Sequence, residues 1–191
     1  GELRSTVALE VALLAHGVCN PALVDSREEV RLQIQEMLSG WVIDVASLHG
    51  LTDAQAREAG SAVLTLGSCA LGVPSVGADI DLVAVVPYFV ERAAFFAGSG
   101  LVGRLQSADG IGAGSVHPVP DAFVPVVKFV LHGVPVDLLL TRLRLPQVPQ
   151  DLKVDTPGIL GRCIEDKDVY SLNGARVARA ILRRVPNVEH F

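Results

Sequence analysis

The stretch LGSCALGVPSVGADIDLVAVVP, residues 66–87, decides how the rest of the chain is read. It begins at the end of a short apolar run, Ala62–Leu66, passes through Gly67-Ser68, and closes on a second apolar run, Asp79–Val86. Both runs are expected to be strands. Residues two apart in a strand share a face, so Asp79 and Asp81 point the same way while Ile80, Leu82 and Ala84 turn into the core. Two carboxylates side by side at the start of an apolar strand repel, which costs stability unless a cation lies between them. Mg²⁺ favours such oxygen ligands, one or two carboxylates together with substrate phosphates. A lone Asp-x-Asp is more often a solvated strand end, so its context matters. Gly67-Ser68 lies where a short helix could begin, and a helix N-terminus offers free N–H groups to phosphate. An isolated Gly-Ser is ordinarily no more than a helix cap.

A third carboxylate, Asp137, sits between Val136 and Leu138 in GVPVDLLLTRL, residues 133–143. Strand positions of that kind are mostly apolar. Phe123–Leu131 and Val134–Thr141 are two β-rich runs separated by His132-Gly133, the pattern of a hairpin. If that turn has two residues, Leu131 faces Val134 and Lys128 faces Asp137, about 5.5 Å apart at Cβ. This placement fits a plain ion pair, or a lysine aimed at phosphates near the same carboxylates.

Outward from this centre, the chain reads as helix. Thr6–His16 is rich in Ala, Leu and Val and stops at Gly17. Ser26-Arg27-Glu28-Glu29 has the form of a capping box. Behind it, Val30, Ile34, Met37, Leu38, Trp41, Val42 and Val45 form one apolar stripe on a helix ending near Gly50. Thr52 starts a shorter helix that gives out around Gly60. Glu91–Phe96 begins another helix, whereas Gly98–Gly114 is glycine-rich and reads as a loop. Pro146 and Pro149 mark a break, after which Ile159–Phe191 reads as helical, most clearly over Asn173–Arg184. Helices, a small mixed sheet, then helices make the class α/β or α+β.

Half of the residues are hydrophobic and 19% are charged, which excludes a disordered tail. The apolar runs are too short to span a bilayer, so no membrane partner is expected. The N-terminus lacks the basic, apolar and small-residue order of a signal peptide. It also lacks an initiator methionine, which argues for a fragment or a processed chain. Cys19, Cys69 and Cys163 are far apart, which argues for a reducing compartment and against zinc. A net charge of −5 is a poor match for a self-sufficient nucleic-acid binder. If the protein handles RNA, most of the affinity comes from elsewhere.

The Gly-Ser, Asp-x-Asp and Asp set resembles that of the DNA polymerase β-like nucleotidyltransferases, and within them the eukaryotic poly(A) polymerases. Three blocks carry the likeness: residues 66–87; VHPVPDAFVPVVKFVLHGVPVDLLLTRL, residues 116–143; and SLNGARVARAILRRVPN, residues 171–187. VPDAFVPVVK and SLNGARV are far more specific than the three aspartates, and the likeness runs along almost the whole chain, the SREEV helix included. It implies a small mixed-sheet nucleotidyltransferase core over residues 25–146. Residues 1–24 and 147–191 would be part of a helical central domain. It implies template-independent transfer of AMP from ATP to an RNA 3′-hydroxyl, with Asp79, Asp81 and Asp137 holding two Mg²⁺ ions, for which Mn²⁺ can substitute. Gly67, Ser68 and Lys128 would meet the nucleotide phosphates, Asn173 the incoming ATP, and Val126 the base pocket. ATP, an RNA 3′ end and mRNA 3′-end processing factors are the implied partners, and the nucleus the implied location, although no Lys/Arg-rich import signal is visible. Leu66 stands where the family often has an aromatic residue, and Cys69-Ala70 replace a bulkier pair. A second ATP-binding lysine and tyrosine and an RNA-binding domain would follow Phe191. Two other readings stay open: another RNA nucleotidyl transfer such as uridylylation, and a non-catalytic nucleotide-binding module.

Overall fold

The computed structural model describes residues 21–72 and 77–185, with side chains from Ser26 onward. The expected helix at Thr6–His16 lies outside these residues. In chain order the elements are α1 (Pro21–Leu48), α2 (Asp53–Ala59), β1 (Ala62–Thr65), α3 (Gly67–Leu71), β2 (Ile80–Pro87), α4 (Arg92–Phe96), α5 (Leu101–Ser107), β3 (His117–Val119), β4 (Val126–Leu131), β5 (Val134–Leu143), a 3₁₀ turn at Ile159–Arg162 and α6 (Asp166–Leu182). The strands form one mixed sheet in the order β1-β2-β5-β4-β3. β2 and β5 run parallel at its centre, and every other pair is antiparallel.

Alternation along β2 sorts its side chains onto two cores. Ile80, Leu82, Ala84 and Val86 pack with the apolar stripe of α1 and with Ala56, Phe95 and Leu101. Val83 and Val85 face the opposite layer, with Leu172 and Ala175 of α6 and with Leu143, Val148 and Ile159. The sheet is therefore covered on both faces, and the stripe predicted for α1 is buried from Val30 to Val45, apart from Met37, which is half-buried. Gln35 of α1 secures the edge strand: its side-chain oxygen accepts from Val63 N at 2.7 Å and its amide donates to Ser61 O at 3.1 Å. Thr52 caps α2 in a reciprocal arrangement with Gln55. The β4–β5 hairpin turns at His132 and Gly133, both with positive φ, and places Leu131 opposite Val134 as expected.

Four expectations change. Ser26 is not a cap, because α1 runs from Pro21; the fixed φ of proline suits the first turn of a helix, and Ser26 lies inside it. The Gly98–Gly114 loop contains α5, which buries Leu101, Val102 and Leu105 on one face. Its glycines serve close packing: a Cβ on Gly100 would lie 1.7 Å from Ala94 O, and one on Gly103 1.8 Å from Gly98 O. β3 was not expected, since its three residues are exposed and carry no alternation. At the C-terminal end the continuous helix starts only at Asp166, preceded by the short 3₁₀ turn.

Candidate functional site

β1 delivers the chain to the site. Leu66 N donates to Asp81 O at 2.8 Å, and the chain then turns into α3 through Gly67. Gly67 has a φ of +56°, and a Cβ there would lie 2.6 Å from Asp81 Oδ2. Glycine thus meets two demands together, a left-handed backbone and direct approach to a carboxylate. Ser68 follows in the first turn of α3, half-buried.

Asp81 and Asp137 are register partners in the parallel β2–β5 pair, and Lys128 is the antiparallel partner of Asp137. Asp79 precedes the first paired residue of β2 and is exposed. One oxygen from each of Asp79, Asp81 and Asp137 lies within 4.8 Å of the others. Lys128 Nζ is ion-paired with Asp137 Oδ2. Burial, then the charges of Asp79 and Asp137, push the Asp81 carboxyl above its ordinary range, with Lys128 pulling the other way. The hydrogen bond to Asp137, reinforced by the neighbouring aspartates, raises the Lys128 ammonium.

An oxygen-only donor set under mutual repulsion suits a hard divalent cation and does not suit zinc, which takes nitrogen or sulfur. A cation there would relieve the repulsion that perturbs Asp81.

Gly67, Asp79, Asp81, Lys128 and Asp137 come together where β2, β4, β5 and the start of α3 meet. Val126 lies two residues from Lys128 on the same face of β4, half-buried. Asn173 is exposed on α6 and lines an open groove with Asp155, Arg176, Val177 and Arg183. The next residue, Gly174, faces Leu66, where a Cβ would come within 3.3 Å of the leucine Cδ2. Leu66 itself is buried in the layer beneath α6, where it packs between strand and helix.

Two features escaped the sequence reading. Arg27, buried in α1, donates to Ala78 O at 2.6 Å and to Cys69 Sγ at 3.5 Å. Arg92 and Arg142 converge on Asp168, which is fully buried at the start of α6, and both also pair with Glu165. These partners are far apart in the chain, and no local pattern connects them. The only sequence signal was Arg142 inside an otherwise apolar stretch; Arg27, among Asp25, Ser26, Glu28 and Glu29, reads as an ordinary surface residue.

Comparison with known proteins agrees with this geometry. The family model for the poly(A) polymerase nucleotidyltransferase domain matches residues 1–185. Nuclear poly(A) polymerase 4 of Arabidopsis thaliana is 40% identical over 167 residues, 86% of this chain and 22% of that protein. Poly(A) polymerase pla1 of Schizosaccharomyces pombe is 37% identical over 168 residues, 88% of this chain and 29% of that protein. This chain thus spans less than a third of either relative. A crystal structure of mtPAP in complex with ATPγS shares the fold, with a TM-score of 0.51 and 16% identity over 93% of this chain and 36% of that one. Among the described residues no helix is long and apolar enough to cross a membrane. The match along nearly the whole chain, with three carboxylates gathered beside the central parallel strands, makes the chain a member of the poly(A) polymerase nucleotidyltransferase domain family.

Proposed function

We propose that the protein containing this chain transfers AMP from ATP to the 3′-hydroxyl of RNA without a template, releasing pyrophosphate. The observation that carries this reading is the meeting of Asp79, Asp81 and Asp137 within 4.8 Å, in a chain of this family.

Asp79, Asp81 and Asp137 would hold two Mg²⁺ ions, with Mn²⁺ able to substitute. Such ions, when bound, acidify the attacking hydroxyl and neutralise charge on the leaving pyrophosphate. The chain's own groups bind and orient. Lys128, already held by Asp137, offers its ammonium to the triphosphate, and Gly67 lets the backbone of α3 approach closely, with Ser68 as a hydroxyl donor. Val126 supplies apolar contact for the base, and Asn173 reaches the nucleotide from α6. Little covalent chemistry falls to the protein, so positioning and charge carry the catalysis.

The division into a core at residues 25–146 and helical parts at 1–24 and 147–191 belongs to the same proposal. So do contact with 3′-end processing factors and a nuclear location, the latter in line with the names of the Arabidopsis relatives.

The test is primer extension by the full-length protein on oligo(A) with Mg²⁺ and each nucleoside triphosphate separately. Extension with ATP, lost in a folded Asp81→Ala protein, is the expected result. Extension with UTP in preference to ATP would replace adenylyl by uridylyl transfer. Nucleotide binding without extension by any triphosphate would leave a binding module.

A further inference from the structure

Asp79 is the one carboxylate of the three that lies outside the paired residues of the sheet. Strand pairing begins at Ile80, so Asp79 lies just beyond the end of the ladder and is exposed. Yet a metal-binding oxygen has to be placed within a few tenths of an ångström. On the other side, the residue before Asp79 is held by Arg27. Its guanidinium, 6% exposed, spans two elements: one nitrogen donates to the carbonyl of Ala78 at 2.6 Å, the other to the sulfur of Cys69 at 3.5 Å. Ala78 is the residue before Asp79, and Cys69 is the residue after Ser68 in α3.

We propose that Arg27 is a positioning residue that clamps the approach to Asp79 onto α3, so that the first carboxylate and the phosphate-facing turn keep a fixed separation. This rests on the nucleotidyl-transfer reading of the site. A planar fork with donors on two nitrogens can hold two acceptors at once, which a lysine ammonium on a flexible stem does less well. The clamp is anchored in α1, whose stripe from Val30 to Val45 is locked in the core, so the guanidinium has a rigid base.

The test compares Arg27→Met and Arg27→Lys in the full-length protein. The first readout is binding of Mn²⁺ alone, followed by the electron paramagnetic resonance signal of the free ion, without nucleotide or RNA. The second is the split between kcat and KM for ATP in primer extension, with circular dichroism reporting the fold. Arg27→Met is expected to weaken Mn²⁺ binding and to lower kcat by roughly 10- to 100-fold, as loss of an orienting partner does. KM for ATP should change little, and Arg27→Lys should recover part of both losses. If both variants are folded and bind Mn²⁺ like the wild type, the clamp is wrong. If Arg27→Met does not fold, Arg27→Lys alone decides by the same criterion, with a loss supporting the clamp and wild-type binding overturning it. Failure of the wild type to extend RNA would count against the proposed reaction, and the Mn²⁺ comparison would still decide the role of Arg27.

Discussion

Asp81 and Asp137 face one another in the parallel pairing of β2 and β5, so the sheet places two like charges in register at its centre. Like charges directly opposite destabilise a sheet by a few tenths to about 1 kcal/mol. Asp81→Asn should therefore stabilise the metal-free protein while abolishing primer extension. The gain should be a few degrees in Tm at most. Added Mg²⁺ should then raise Tm for the wild type and leave the variant nearly unchanged, because binding to the folded state alone stabilises it. Differential scanning calorimetry with and without Mg²⁺ checks this, and a variant less stable than the wild type in metal-free buffer would contradict it.

Gly67→Ala should damage the site at its hinge. The new methyl group would meet Asp81 Oδ2 at 2.6 Å on a backbone already at φ +56°. Either the carboxylate or the turn has to move, and both lie in the proposed reaction site. A drop of about two orders of magnitude in kcat is expected, the scale seen when a reacting geometry is displaced by about 1 Å. Steady-state kinetics on the folded variant decide it.

Lys128→Ala separates stability from chemistry. The Lys128–Asp137 pair is half exposed, so its loss should change the unfolding free energy by less than about 1 kcal/mol. Activity should fall roughly 100-fold or more, as when a preorganised donor to developing charge is removed. Urea denaturation alongside primer extension tests both halves.

The hairpin arithmetic that puts Lys128 opposite Asp137 was legible because a two-residue turn fixes register and period two fixes the face. The stripe on α1 was legible for the same kind of reason, a period that repeats over many residues. α5 was not, because Gly100 and Gly103 look like chain breakers in sequence, whereas in space they admit backbone oxygens. The parallel partnership of β2 with β5 was not legible either, since nothing local at Asp81 names its neighbour. Ser26 misled through a local motif that Pro21 overrides.

Asp168 should prove the most sensitive position remote from the surface. It is fully buried and accepts from Arg92, from Arg142 N at 3.0 Å and from Glu165 N at 3.0 Å. Asp168→Asn leaves two buried guanidiniums short of a counter-charge, which should cost about 3–5 kcal/mol by urea denaturation. Acid acts on the same network through Glu165. Burial works against its charge, but Arg142 and Arg92 prevail and hold the carboxyl below its ordinary range. That contribution is present above the unfolded value near 4.5 and is lost as pH falls through the lower folded value, so stability should decline on acidification below about pH 4.5.

Cys163 should resist alkylation in the native protein. Burial, with the charge of Asp168 adding to it and Arg176 opposing it, pushes its thiol up to about 11. At pH 8 roughly a thousandth of it would be thiolate, the reactive form. Iodoacetamide labelling followed by peptide mass mapping should show Cys163 modified only after denaturation.

The parallel pair at the middle of the sheet also governs how the chain reaches its native state. The β4–β5 hairpin closes over a two-residue turn and can form early, whereas β2 and β5 join positions as distant as Ile80 and Val136. Closing that long loop carries an entropic cost before any contact repays it, so this pairing is expected to form late. The three carboxylates then assemble only in the final stage of folding. Repulsion between them falls on the closing step, and partly folded chains would not carry the acidic cluster at all.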